Sequence, residues 1–229
     1  METVYYFSDV LCIWAYIAQA RIDEMAAQFD GRITIDNRFC SVFPDARGKI
    51  ETVWKDRGKY EGFNAHLMEV ASQFPHVTVN KKIWIDVRPR TSTSAHTFLK
   101  AVHLIEQEDA KTVSNKPFAE TLLAKTMWDV RCAFFEHGQD ISNWTVLEEI
   151  AEKHGIDRRH LIEKMASSEA VALLDADYKL SANHSIEGSP TILMNNGRQK
   201  LYGNVGYKLI EANLEEMLRR PSKDRASWC

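Results

Sequence analysis

Cysteine is scarce in this chain: four in 229 residues, at Cys12, Cys40, Cys132 and Cys229. No two stand close together, which excludes the clustered thiols of a structural zinc site and the dense disulfide framework of a small secreted domain. None of the eight histidines joins a cysteine or glutamate in a metal-binding pattern. His96 and His103, two turns apart on one expected helix, read as partly buried structural residues, and no metal is expected. No run of about eighteen apolar residues occurs, so no membrane partner is expected. The chain opens on Met1-Glu2 directly before a strand, with no basic region and no apolar signal core, so the expectation is a cytoplasmic protein with reduced thiols. Basic residues number 29 against 32 acidic ones, for a net charge of −3. No basic stripe interleaved with aromatics stands out among them, and nucleic acid is not an expected partner. Internal repeats and low-complexity tracts are missing as well. Nothing in the composition selects an oligomeric state.

What is present is apolar material for a large core, 45% of the side chains. A chain of this length forms one domain with an insertion, or two domains. Periodicity predicts a strand over 3–8 and a helix over 13–29 with Tyr16, Ile17, Ala20, Met25 and Phe29 inward. A second strand is predicted over 33–39. The strand–helix–strand unit makes those two strands parallel neighbours. From Phe43 to Asp86 the pattern is poor, interrupted by Pro44, Gly48, Gly58, Gly62 and Pro75. Helices then recur over 93–108, 116–137, 143–154 (with Ser142 as a cap), 157–166 and 169–184. The chain ends on two strands and an amphipathic helix over 206–219, with Leu209, Ile210, Leu214, Met217 and Leu218 as its stripe. A loose tail, 221–229, follows.

The segment Val4-Tyr5-Tyr6-Phe7-Ser8-Asp9-Val10-Leu11-Cys12-Ile13-Trp14-Ala15-Tyr16 carries the chemistry. An aromatic, β-branched strand breaks at Ser8-Asp9 and delivers Cys12 to the first turn of a helix. Unpaired backbone N–H groups and the positive end of the helix dipole favour a thiolate there, so the thiol is expected to titrate below its free value of about 8.5. Position 15, where a second cysteine would close a local disulfide ring, holds alanine. A second motif lies far downstream at Glu187-Gly188-Ser189-Pro190-Thr191-Ile192-Leu193-Met194-Asn195-Asn196-Gly197, a loop entering a strand that hairpins into Arg198–Tyr202.

Together the two motifs resemble the thioredoxin superfamily and, within it, the cytosolic DsbA-like branch. Arg88-Pro89-Arg90-Thr91-Ser92-Thr93-Ser94-Ala95-His96 is similar to the opening of that branch's inserted helical domain. Phe134-Phe135-Glu136-His137-Gly138-Gln139-Asp140-Ile141-Ser142 is similar to its break between two insert helices. The resemblance spans nearly the whole chain. It implies an α/β fold, a thioredoxin-like core from 1–42 and 185–220 with an inserted α-helical domain over 43–184. It also implies a cis bond before Pro190, with the Ser189 backbone facing the Cys12 sulfur, and an enzyme that exchanges disulfides. The departure at Ala15 removes the thiol on which the family's dithiol oxidation depends.

Cys12 is therefore the expected catalytic residue, and Ser8, Asp9, Ile13, Trp14, Ala15, Ser189 and Pro190 are the expected substrate-contacting set. Ser8 and Asp9 are expected to hold the turn and cap the helix, with proton transfer by Asp9 as the functional alternative. Trp14 is expected on an exposed apolar rim and Tyr16 inside. Cys40 closes the second strand on the same rim and is a candidate resolving thiol if its Cα falls within about 7 Å of that of Cys12. Cys132 and Cys229 read as bystanders. A monothiol site needs an external thiol to resolve its mixed disulfide, so the expectation is a glutathione-coupled reductase or exchanger. Glutathione is the co-substrate, no cofactor is held tightly, and the partners are small thiols or disulfides and protein disulfides. Two alternatives stay open. One is similarity to kappa-class glutathione transferases and 2-hydroxychromene-2-carboxylate isomerases, which activate the thiolate of bound glutathione. The other is a non-catalytic binding module.

Overall fold

In the computed structural model, residues 1–108 and 116–219 are described. The expected tail, with Cys229, lies outside them. Four strands, β1 (Glu2–Ser8), β2 (Ile33–Phe39), β3 (Thr191–Met194) and β4 (Gln199–Tyr202), form one sheet in the order β2-β1-β3-β4. β1 and β2 are parallel, with Ser8 opposite Phe39. β3 runs antiparallel to both β1 and β4. Strand alternation sorts the side chains of β1: Val4 and Tyr6 face one layer, Tyr5 and Phe7 the other.

Helices α1 (Ile13–Gln28) and α9 (Tyr207–Leu218) cover the Val4–Tyr6 face. Ile22, Met25 and Phe29 meet Ile33, Ile192 and Met194 there, together with Ile210 and Leu214. Each such side chain, once buried, contributes about 1.5–3 kcal/mol to folding. The opposite face packs Phe7, Cys40 and Leu193 against Leu180 of α8 (Glu169–Asn183) and Ile186. Two assigned core positions were wrong. Leu209 and Ala20 lie on solvent-facing sides of their helices, and Ile22 takes the place expected of Ala20.

Between β2 and β3 the chain builds α2 (Ala46–Val53), α3 (Lys59–Ser72), α4 (Thr93–Glu108), α5 (Leu122–Phe135), α6 (Trp144–Lys153), α7 (Arg158–Ala166) and then α8. Two of these occupy the stretch that reads poorly in sequence. Asp45 caps α2 by accepting from Gly48 N at 2.9 Å. Gly62 interrupts no helix: a Cβ there would fall 1.6 Å from the Arg57 carbonyl oxygen, so glycine admits a close backbone approach. α5 starts later than periodicity predicts, because Thr121 caps it by accepting from Ala124 N at 3.2 Å. Asn143, rather than Ser142, caps α6; Ser142 instead donates to Asp140. Among the described residues no helix is long and apolar enough to cross a membrane.

Candidate active site at the Cys12 turn

β1 stops at Ser8, and a short turn closed by Cys12 N donating to the Asp9 carbonyl at 3.0 Å leads into α1. Cys12 is the N-cap of α1, with extended backbone and no side-chain capping bond. Its carbonyl takes the amides of Ala15 and Tyr16, each at 3.1 Å. The thiol therefore occupies the place where a capping hydroxyl ordinarily sits. Across from it, the Cys12 Sγ donates to the Ser189 carbonyl at 3.1 Å, and the Ser189–Pro190 bond is cis. The loop is pinned from both sides. Asp9 N donates to Ser189 Oγ at 2.9 Å, and Gly203 N donates to the Pro190 carbonyl at 2.8 Å. Gly188 lies directly under the Tyr202 ring, where a Cβ would come within 2.9 Å of the phenol.

The expected fall in the pKa of Cys12 does not occur. Only 7% of the residue is exposed, and burial pushes the thiol up, with the Asp9 carboxylate adding to the rise. The Ser189 side chain and the Ala15 and Trp14 amides pull the other way. Loss of water outweighs the helix end, whose effect is worth about 0.3–1 kcal/mol at an exposed site.

Asp9 is fully buried and caps nothing on α1. It accepts from Leu11 N at 2.9 Å, Val42 N at 3.1 Å, Phe43 N at 2.9 Å and Ser92 Oγ at 2.7 Å. The carboxylate thus ties the Cys12 turn to the segment after β2 and to the start of α4. His96 stands beside it. Val10 N donates to His96 Nε2 at 3.2 Å, so the ring proton is assigned to Nδ1, which faces the Tyr178 hydroxyl at 3.4 Å. Burial lowers His96 to about 4, so the ring is neutral at pH 7 and its 3.8 Å approach to Asp9 is not an ion pair. His103 pairs with the Gln107 side chain at 2.9 Å. Among the described residues no group of three or more His, Cys, Asp or Glu is placed to hold a metal ion.

The remaining expected site residues divide. Ser189 meets the thiol through its carbonyl, at the cis bond that leads into Pro190. Trp14 is partly buried, its ring edge-on to Phe74 at 6.2 Å and packed against the core. Tyr16 is inside, stacked between Trp128 and Phe135, and donates to the Thr78 carbonyl at 3.2 Å. Ile13 and Ala15 are buried, Ile13 within the main apolar core. Ser8 is buried too, and accepts from Arg131 at 2.9 Å. Cys12, Cys40 and Cys132 are free thiols. Cys40 sits among Phe7, Leu193, Leu180 and Ile186, and burial, then Asp9, drives its thiol far up. Cys132 is pushed up to about 12, first by burial. Two clefts of about 440 and 340 Å³ are present, lined by α4 and α6 residues such as Thr93 and Trp144, and by α1 residues with His76 and Tyr207; Cys12 lines neither. Sequence reading missed Ser92, His96, Arg131 and Tyr178 as neighbours of the turn, because each reaches it from far along the chain.

A strand–turn–helix that presents a cysteine to a cis-proline loop defines a thiol protein of thioredoxin architecture. The model of the DSBA-like thioredoxin domain matches residues 3–215, and the chain belongs to that family, within the thiol-disulfide oxidoreductase superfamily. The α/β core with inserted helices is that family's fold. No curated protein matches the chain. Among solved structures, a probable DsbA oxidoreductase from Streptomyces coelicolor superposes with a TM-score of 0.71 at 17% identity, covering 97% of this chain and 93% of that one. The cytosolic disulfide reductase DsbM from Pseudomonas aeruginosa gives 0.63 at 18% identity, covering 93% and 99%. A 2-hydroxychromene-2-carboxylate isomerase gives 0.62 at 16% identity, covering 93% and 95%.

Proposed function

We propose that this protein is a cytoplasmic monothiol disulfide reductase or exchanger coupled to glutathione, with Cys12 as its nucleophile. The observation that carries this reading is the Cys12 sulfur 3.1 Å from the Ser189 carbonyl, at a cis-proline loop, with alanine at position 15. Among the described residues the Ser189 N–H makes no hydrogen bond, which suits it to pair with an extended substrate backbone beside the thiol. Cys12 thiolate attacks the glutathionyl sulfur of a mixed disulfide, the S–S bond breaks, and the substrate leaves as a thiolate that takes a proton. A glutathione thiolate then attacks the new Cys12 mixed disulfide, releasing glutathione disulfide and regenerating Cys12. One added glutathione is consumed per mixed disulfide: its thiol is oxidised as the substrate thiol is released, and the glutathionyl group already on the substrate becomes the other half of the glutathione disulfide. The similar DsbM of Pseudomonas aeruginosa has been solved with GSH, which supports glutathione as the co-substrate. Trp14 supplies an apolar rim for the substrate.

The test compares native, Cys12→Ser and Ala15→Cys proteins in glutathione-dependent disulfide reduction and in peptide dithiol oxidation. The native protein reduces and does not oxidise, Cys12→Ser does neither, and Ala15→Cys gains oxidation because it restores a thiol one helical turn from the nucleophile. Strong peptide oxidation by the native protein contradicts the reading. Glutathione conjugation that survives Cys12→Ser replaces it with a transferase, and the absence of any turnover replaces it with a binding module.

A further inference from the structure

Among the described residues Arg131 is a buried cation with no carboxylate within ion-pair distance, although the Asp23 carboxylate feels its field. The residue has 0% exposure on a helix, α5, whose other buried residues are mostly apolar. Its guanidinium donates to Gln19 Oε1 at 2.6 Å and to Ser8 Oγ at 2.9 Å, both neutral, and its Nε has no partner. Asp23 is reached only through Gln19, whose amide donates to Asp23 Oδ1 at 2.8 Å. Enclosing a charge among neutral acceptors costs several kcal/mol, and an apolar side chain would fill the same volume without that cost.

The two contacts explain where the charge is aimed. Ser8 is the last residue of β1, and Gln19 stands in the second turn of α1. Cys12 lies on the turn that joins those two elements, so the guanidinium bridges both arms that carry the thiol. Arg131 and Cys12 both lie within electrostatic reach of the Tyr6 hydroxyl, which is fully buried and has no bond of standard geometry among the described residues. From the other elements packed against the turn come the Asp9 carboxylate, the Cys40 thiol, the neutral His96 ring and, near Cys40, the Lys49 ammonium bound to the Val42 carbonyl. Two cations are buried among the described residues: Lys100, which acts on His96, is paired with Asp177 at 2.6 Å, and Arg131 is the one bonded to the strand and helix that carry Cys12.

We propose that Arg131 is a positioning residue for Cys12, clamping the two arms of its turn and supplying the buried positive charge that balances the Cys12 thiolate against Asp9. The inference rests on Cys12 being the reactive thiol. Because the guanidinium is sealed from water, its field is little screened by salt.

The test follows iodoacetamide modification of the Cys12 peptide by mass spectrometry across pH, in Arg131→Met, Arg131→Lys, Ser8→Ala, Gln19→Glu and Gln19→Glu/Asp23→Asn proteins. Arg131→Met moves the inflection up by about one unit, a tenfold loss of thiolate below it. Gln19→Glu does the same at nearly the same side-chain volume, since it places a carboxylate on the guanidinium, and Gln19→Glu/Asp23→Asn removes the carboxylate it would otherwise face at Asp23. Arg131→Lys retains the charge and moves the inflection less, and Ser8→Ala, which removes one bond and no charge, moves it least. Inflections unchanged within about a quarter unit in Arg131→Met and Gln19→Glu proteins of native circular dichroism overturn the proposal. If Arg131→Met does not fold, Gln19→Glu decides alone. A native Cys12 that is never modified sinks the nucleophile assignment itself, whereas identical inflections in all variants sink only the role of Arg131.

Discussion

Cys12 and Cys40 follow neighbouring parallel strands and leave the sheet on the same rim, one residue type in two settings. Cys12 follows a turn, begins a helix, and points its sulfur at the cis-proline loop. Cys40 continues the ladder by donating its amide to the Ser8 carbonyl at 3.2 Å, and its side chain disappears among Phe7, Leu193 and Leu180. Both thiols are raised by burial; at Cys12 the Ser189 side chain and the Ala15 and Trp14 amides act against that rise, and at Cys40 its own amide and the Lys49 ammonium do. On the proposed function, the helix start and the facing loop, and not proximity to the rim, select the nucleophile.

The comparison breaks most plainly under substitution. Cys12→Ser lowers glutathione-dependent disulfide reduction by about a thousandfold or more, as loss of a covalent nucleophile does, while Cys40→Ser stays within about twofold. Steady-state rates on both proteins check this, and equal losses would make Cys40 a partner in the chemistry. Next in size is Asp9→Ala, which strips acceptors from Leu11 N, Val42 N, Phe43 N and Ser92 Oγ together. Leaving several buried donors unpaired costs about 3–5 kcal/mol, measurable as a drop in urea midpoint.

A third effect separates the turn from its support by pH. His96 titrates at about 4 in the folded chain against 6.5 when free. The unfolded chain therefore takes up a proton that the folded one refuses. Stability is complete above about pH 6.5 and falls as the pH drops towards 4, by up to roughly 3 kcal/mol. Thermal unfolding across that window shows the slope, and His96→Gln flattens it; an unchanged slope in that variant would assign the acid sensitivity elsewhere. The smallest effect belongs to the rim: Trp14→Ala lowers kcat/KM by about threefold to tenfold, mainly through KM, because it removes apolar contact and no reacting group. A loss confined to kcat would move Trp14 from the rim into the chemistry.

The local parts of this architecture were legible in the sequence. Alternation in Val4–Phe7, the break at Ser8-Asp9 and the helix from Ile13 depend on near neighbours, and all are where pattern places them. That Pro190 meets Cys12 came from family resemblance, since no periodicity joins residues so far apart. Three things were not legible, each for a physical reason. Gly58 and Gly62 read as helix breakers, yet the second lies inside α3 because the Arg57 carbonyl presses on it. The acidity of Cys12 was misjudged because burial is set by tertiary packing, and it exceeds the local pull of a helix end. Asp9 looked like a cap because its partners Val42, Phe43 and Ser92 come from other elements.

The central claim, that Cys12 works alone and is resolved by an external thiol, is tested most directly by trapping. Native protein is exposed to glutathione disulfide, quenched with acid, and mapped by peptide mass spectrometry. The account predicts a single glutathione adduct on Cys12 that persists until reduced glutathione is added and then disappears. An intramolecular disulfide between Cys12 and Cys40, or an adduct on any cysteine other than Cys12, would contradict it.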